Sequence, residues 1–273
     1  MLNLQEIHKP KTIEDAIKLL RQPDTVALAG GTQLIASQSK KIRAVVDLCA
    51  LDLSYIRDKN GAVALGATTT LADVSDSPML RGAMNGVLAQ AAHRTAASIL
   101  RNQGTVAGTL ITEPNGIFAT TLLALDAQIV CVGDKTMDVA IADFLAMLNH
   151  FTMGSLVKEI VIPSGSVSKR AALETVARTP SDKPIVSVCA SLRVDGNTTR
   201  DVRIALGGVG LSAVRARGTE KELEGKRLGE GEIEKAAGLA SQGLSPRGDY
   251  RGSVEYRKEM AIVLTRRVVR ELM

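Results

Sequence analysis

Two short glycine turns constrain what this chain can become. Ala29-Gly30-Gly31-Thr32-Gln33-Leu34 closes an apolar run, and Thr105-Val106-Ala107-Gly108-Thr109-Leu110 follows an alanine-rich stretch of helical period between Gly82 and Ile99. Glycine tolerates positive φ and lets a second backbone come close, so successive N–H groups can converge on an anion. Threonine hydroxyls add hydrogen bonds. Brought together, the two turns can hold a pyrophosphate without lysine or arginine. Taken singly, each reads equally well as a tight turn between packed elements. A third glycine run, Leu206-Gly207-Gly208-Val209-Gly210, lacks the GxGxxG spacing and the acidic ribose partner of a Rossmann nucleotide site.

Around these turns the pattern is one of short elements. Thr12 is placed to cap an amphipathic helix over 12–21, with Ile13, Ile17 and Leu20 on one face. Short strands are predicted at Val26–Ala29 (buried), Ala44–Leu48, Gly61–Gly66, Gln128–Val132 and Val157–Ile162, and helices at Thr70–Val74, Phe118–Leu125 and Asp143–Leu148. The polar stretch from Pro163 to Ser168 marks a domain boundary. Beyond it lie strand-like runs at Ala171–Val176, Ile185–Val194 and Val202–Gly207, then helices at Gly231–Gln242 and Ser253–Glu271. The predicted class is α+β.

Composition removes several functions. The chain has 273 residues and a net charge of +5, too mild for a nucleic-acid partner, and only 2% of it is aromatic, with no tryptophan to stack on bases. Cys49, Cys131 and Cys189 form no CxxC pair, and His8, His93 and His150 are as scattered, so no metal or iron–sulfur site is expected in this chain. No apolar run approaches the ~20 residues of a membrane span, and the first residues lack the apolar core of a secretion signal. A cytoplasmic setting is the expectation.

The order of the motifs resembles that of the FAD-binding medium subunit of molybdenum hydroxylases, the family of xanthine dehydrogenase and aerobic carbon monoxide dehydrogenase. The resemblance runs through the Ala29–Leu34 turn, Val45-Val46-Asp47-Leu48, Leu65-Gly66-Ala67-Thr68-Thr69-Thr70, Arg101-Asn102-Gln103-Gly104 leading into Thr105–Thr109, and the LLALDA segment Leu122–Ala127. It continues through Leu206–Gly210, Val214-Arg215-Ala216, Glu220, Leu223-Glu224-Gly225-Lys226 and Glu255-Tyr256-Arg257.

This resemblance implies a vanillyl-alcohol-oxidase-type (PCMH-type) FAD-binding domain over 1–165, made of subdomains of about 1–55 and 56–165. A small α+β C-terminal domain over 166–273 follows, with a three-stranded antiparallel sheet and helices. It implies FAD as cofactor, held by Ala27, Leu28, Ala29, Gly30, Gly31, Thr32, Gln33, Leu34, Thr95, Thr105, Gly108, Thr109, Thr112 and Ile162, with no catalytic residue and no metal ligand in this chain. Pyrophosphate is expected against backbone N–H groups of both turns. Partners are implied as well: a small subunit with two [2Fe–2S] clusters and a large subunit with the molybdenum cofactor, as a dimer of three-subunit units, with NAD or another acceptor taking the electrons. The chain departs from the family pattern at Gln33, Ala107, Thr109 and Ile117, the last standing where many relatives carry an aspartate, with one residue missing nearby. A structural subunit that keeps the fold without FAD is the competing reading. A stand-alone flavin reductase on the same fold, such as the peptidoglycan-precursor reductases, fits the second half poorly.

Overall fold

The computed structural model describes residues 3–179 and 182–273. Three sheets carry the architecture. The first is parallel, order β1-β3-β2, from β1 (Glu6–His8), β2 (Thr25–Leu28) and β3 (Ala44–Asp47). The helix Ile13–Leu20 crosses between β1 and β2, and the Thr12 side chain accepts from the Asp15 N–H at its start. β2 is half-exposed, not buried as its apolar sequence suggested, because it is an edge strand.

The second sheet has β4 (Ile56–Lys59), β5 (Ala62–Gly66), β6 (Gln128–Val132), β7 (Thr136–Ala140) and β8 (Leu156–Ile162), in the order β4-β5-β8-β6-β7, with antiparallel pairing throughout. The alanine-rich stretch before the second glycine turn is not one helix. It breaks into Pro78–Gly82, a 3-10 turn at Met84–Gly86, Val87–Thr95 and Ser98–Arg101, with Met84, Asn85 and Gly86 all at positive φ.

The C-terminal sheet is four-stranded and antiparallel, not three-stranded, in the order β12-β11-β10-β9 from β9 (Arg170–Val176), β10 (Val186–Asp195), β11 (Thr198–Gly207) and β12 (Val214–Arg215). The added strand is only two residues long, too short to leave an alternating pattern. One face of this sheet packs on the helices Arg217–Leu223, Glu230–Gly238 and Val254–Glu271 through Val188, Ile204, Leu223, Ile233, Ala261 and Leu264.

The other face packs on the helix Ile117–Ala124, whose eight residues are all buried. A helix apolar all round belongs inside a core, and this one is the pillar between the two halves. Ser191 Oγ donates to the Ala124 carbonyl at 2.6 Å, and the Thr120 and Ser187 hydroxyls meet at 3.1 Å. Gly207 passes so close that a Cβ there would lie 2.2 Å from Thr120 Oγ1. Among the described residues no helix is long and apolar enough to cross a membrane.

Candidate functional site

The two glycine turns touch. A Cβ on Gly30 would sit 1.7 Å from the carbonyl oxygen of Gln103, so only glycine lets the first turn lie against the Gln103-Gly104 backbone. Gly31 stands at φ +70° and opens the helix Thr32–Ser37. The N–H groups of Gly30, Gly31, Thr32, Gln33 and Leu34 find no protein acceptor among the described residues. Five consecutive free donors, the last three at a helix start, make a concavity suited to an anion. Ala27, Leu28 and Ala29 lead into it along the exposed edge of β2.

The second turn differs from expectation. The N–H of Val106 donates to Thr69 O (2.9 Å), that of Ala107 to Ala67 O (3.2 Å), and that of Thr109 to Thr105 O (2.8 Å). The Gly108 N–H is taken by Thr105 Oγ1 at 3.3 Å, which caps the helix Val106–Thr112. Backbone donors of residues 106–109 are therefore spent on packing, and what the turn still offers is close approach at Gly108 and the hydroxyl of Thr109. A Cβ on Gly108 would come within 2.8 Å of the capping Thr105 Oγ1. Thr112 Oγ1 donates to the Gly108 carbonyl at 2.7 Å and Thr95 Oγ1 to the Ala91 carbonyl at 2.6 Å, leaving both able to accept only. Ile162 ends β8 with its side chain fully buried in the core.

A narrow cleft continues from Thr95 toward the C-terminal domain, past Glu113, Asn115, Lys183, Ser187 and Arg257. Glu113 and Lys183 form an ion pair across it at 3.1 Å. Asn115 Nδ2 donates to Gly210 O at 3.2 Å, the Gly208 N–H to Asn115 O at 3.0 Å, and the Ala213 N–H to Pro114 O at 2.8 Å. The third glycine run thus clasps the loop ahead of the pillar helix. Arg257, 4% exposed, holds that run by donating to the Ile185 and Gly208 carbonyls at 2.6 and 2.7 Å. Arg257 also pairs with Asp249 (2.8 Å). Hydrogen bonds from Arg251 first, and then from Arg257, keep the Asp249 carboxyl well below the usual carboxylate range.

Sequence reasoning missed Glu113, Lys183 and Arg257 as parts of one cleft. Apart from Asp249, eight residues from Arg257, their partners lie tens of residues away in sequence, and only the Glu255-Tyr256-Arg257 resemblance hinted at one of them. Ile117, the position where the resemblance led to the expectation of an aspartate, is 2% exposed and starts the pillar helix inside the core. Among the described residues no group of His, Cys, Asp and Glu is placed to hold a metal ion.

Fold and turn together define a two-part α+β protein with a row of unpaired backbone donors at a glycine turn in its first half. The first half, residues 2–165, matches the family model of the FAD binding domain in molybdopterin dehydrogenase, and residues 171–272 match the CO dehydrogenase flavoprotein C-terminal domain. The chain belongs to this family, the FAD-binding medium subunits of carbon monoxide dehydrogenase-type molybdenum hydroxylases. It is 28% identical to the glyceraldehyde dehydrogenase medium chain of Sulfolobus acidocaldarius over 97% of this chain and 96% of the relative. Identity is likewise 28% to the carbon monoxide dehydrogenase medium chain of Hydrogenophaga pseudoflava, over 97% and 95% of the two chains. A solved structure of that organism's carbon monoxide dehydrogenase superposes with a TM-score of 0.90 at 26% identity, covering 98% of this chain and 96% of the other. Quinoline 2-oxidoreductase from Pseudomonas putida 86 gives 0.88 at 26% identity, with 98% and 96% covered.

Proposed function

We propose that this chain is the electron-relay subunit of a molybdenum hydroxylase complex, with the FAD pyrophosphate seated on the free N–H groups of Gly30 to Leu34. That row of unpaired donors is the observation that carries the reading. When bound, FAD supplies a carrier that takes electrons from the clusters of a small [2Fe–2S] subunit and passes them to an external acceptor such as NAD. Substrate oxidation then belongs to a large molybdenum-cofactor subunit, and the assembly is a dimer of three-subunit units. Thr105, Gly108 and Thr109 wall the site from the opposite side, with Gly30 packed against the Gln103-Gly104 backbone that leads into them. In this reading Thr95 and Thr112 would serve it as acceptors, and the Glu113–Lys183 pair borders the cleft that runs from Thr95. The division into a flavin domain over 1–165 and a C-terminal domain over 166–273 follows the two sides of the pillar helix. A cytoplasmic setting agrees with three unpaired cysteines.

The test is a charge placed in the nest. At φ +70° Gly31 strains most side chains, but asparagine and aspartate tolerate the left-handed region best. Gly31→Asn adds bulk without charge, and Gly31→Asp adds a carboxylate beside the pyrophosphate. FAD titration of the full chain, followed by flavin fluorescence, is expected to show Gly31→Asp weaker than Gly31→Asn by at least about tenfold, or ~1.4 kcal/mol. Equal affinities would remove the pyrophosphate from this turn. Absence of FAD binding even by the wild-type chain would favour the flavin-free structural subunit.

A further inference from the structure

A second cleft lies at the far end of the pillar helix, about 12 Å from the helix start at 1.5 Å per residue. Its volume is about 390 Å³, and Gln128, Ile141, Ser166, Lys169, Asp201 and Arg203 line it from both halves of the chain. Its floor is a bulge. Asp201 and Val202 of β11 oppose the single Leu192 of β10, and Asp201 takes a φ of +51° to allow it. The N–H groups freed there are taken by the Glu224 carboxylate at 3.0 and 2.9 Å, and the Asp201 carbonyl turns to Lys169 Nζ at 3.2 Å.

Lys169 is 5% exposed, and its ammonium has only that carbonyl as an acceptor among the described residues. The carboxylates around it are committed elsewhere. Asp201 pairs with Arg193, Asp126 bridges Arg203 and Arg215, and Glu220 binds Arg215. Lys169 is thus the cation of this cluster with no carboxylate of its own among the described residues. A buried ammonium without a counter-charge is disfavoured unless it sheds its proton or recruits an anion. Burial, and then the Arg203 guanidinium, push its pKa down, while the fields of Asp126 and Asp201 oppose that shift. The open volume beside it favours recruitment, since Ser166 and Gln128 also line the space and can donate to an oxygen ligand.

We propose that this groove binds a small oxyanion, through a carboxylate or phosphate group set against the Lys169 ammonium. The site lies at the opposite end of the pillar helix from the flavin turns, and it stands whether or not FAD occupies them. The experiment uses the full chain with lysine-selective 13C labelling, the Lys169 line being assigned by its loss in Lys169→Met. Inorganic phosphate and succinate are titrated separately at constant ionic strength in chloride, with calorimetry in parallel. A saturable shift of the Lys169 line is expected, together with at least about a tenfold loss of affinity in Lys169→Met, as for removal of one charge-assisted hydrogen bond. The anion that saturates at lower concentration identifies the class of ligand. A Lys169 line unmoved by both anions, or an affinity unchanged in Lys169→Met, overturns the proposal, and the line-shift measurement holds even if that variant folds poorly.

Discussion

Replacing Arg257 by methionine keeps most of the side-chain volume and removes the charge and all donors. The wild-type guanidinium serves the buried carbonyl of Ile185, the half-buried carbonyl of Gly208 and the Asp249 carboxylate. Each orphaned buried acceptor costs about 1–3 kcal/mol, and breaking a buried charged contact costs about 3–5 kcal/mol in total. Asp249 keeps Arg251 and some solvent, so its share is the smaller one. The expected loss of about 3–5 kcal/mol multiplies the unfolded fraction by roughly a hundred to a few thousand. Urea unfolding followed by circular dichroism reads it as a lower midpoint at unchanged slope. Since the Gly208 N–H holds Asn115 O, the clasp on the loop ahead of the pillar helix should loosen as well. FAD affinity measured on the folded variant should then fall. Arg257→Lys can satisfy one carbonyl and should recover part of the stability. An unfolding free energy for Arg257→Met within about 0.5 kcal/mol of wild type, the range of ordinary surface changes, would refute the assignment of Arg257 as the clasp.

Three further outcomes are expected. Ile117→Asp places a carboxylate in the core and should destabilise the chain by about 3 kcal/mol or more without raising FAD occupancy; higher occupancy at unchanged stability would show the residue faces the flavin. Burial pushes the Cys131 and Cys189 thiols up to about 11 and about 12, and the hydrogen bond to Asp47 raises exposed Cys49. Iodoacetamide at pH 8 should therefore label Cys49 slowly and the other two only on unfolding, which peptide mass spectrometry checks. Burial pushes the Glu159 carboxyl up, but hydrogen bonds from Lys59 and Tyr55 outweigh it and hold it below the ordinary value of 4.5. Its stabilisation is thus present above that value and lost as pH falls through the depressed one, so Glu159→Gln should cost more stability at pH 7 than at pH 3.

What the sequence made legible was punctuation and the apolar interior. Thr12 marks its helix start, the helix read at Phe118–Leu125 is found at Ile117–Ala124, and β6 is found at its observed bounds because Ile129, Val130 and Cys131 lie inside. β4 and β7 left no signal, since they edge the second sheet with exposed faces, IRDK and TMDVA, where alternation is not enforced. The break after Gly82 was masked by the alanines around it, which favour a helix, although Asn85-Gly86 carries a turn signal; only the positive φ at Met84 has no marker in composition. Cleft residues such as Glu113 and Lys183 are set by domain packing, which no local pattern encodes.

The departures from the family pattern gain a physical meaning once the backbone bonds are followed. Ala107 is 6% exposed and its N–H is fixed on the Ala67 carbonyl. The second turn therefore serves first to weld the Ala67–Thr70 segment to the helix that begins at Val106, and a methyl group at 107 fills packed space instead of blocking a ligand. Gly108 and Gly30 are different: at Gly30 a side chain would strike the Gln103 carbonyl, and at Gly108 it would press on the capping Thr105 hydroxyl. These glycines remain where the geometry demands them, and at Ala107 the replaced side chain is not one that the proposed anion contact would need, whereas Thr109 still offers a hydroxyl. Gln33 fits the same rule, because an anion at this turn would need its free N–H and not its side chain. A cofactor gripped chiefly by main-chain donors tolerates such side-chain drift, since each substitution leaves the donors in place.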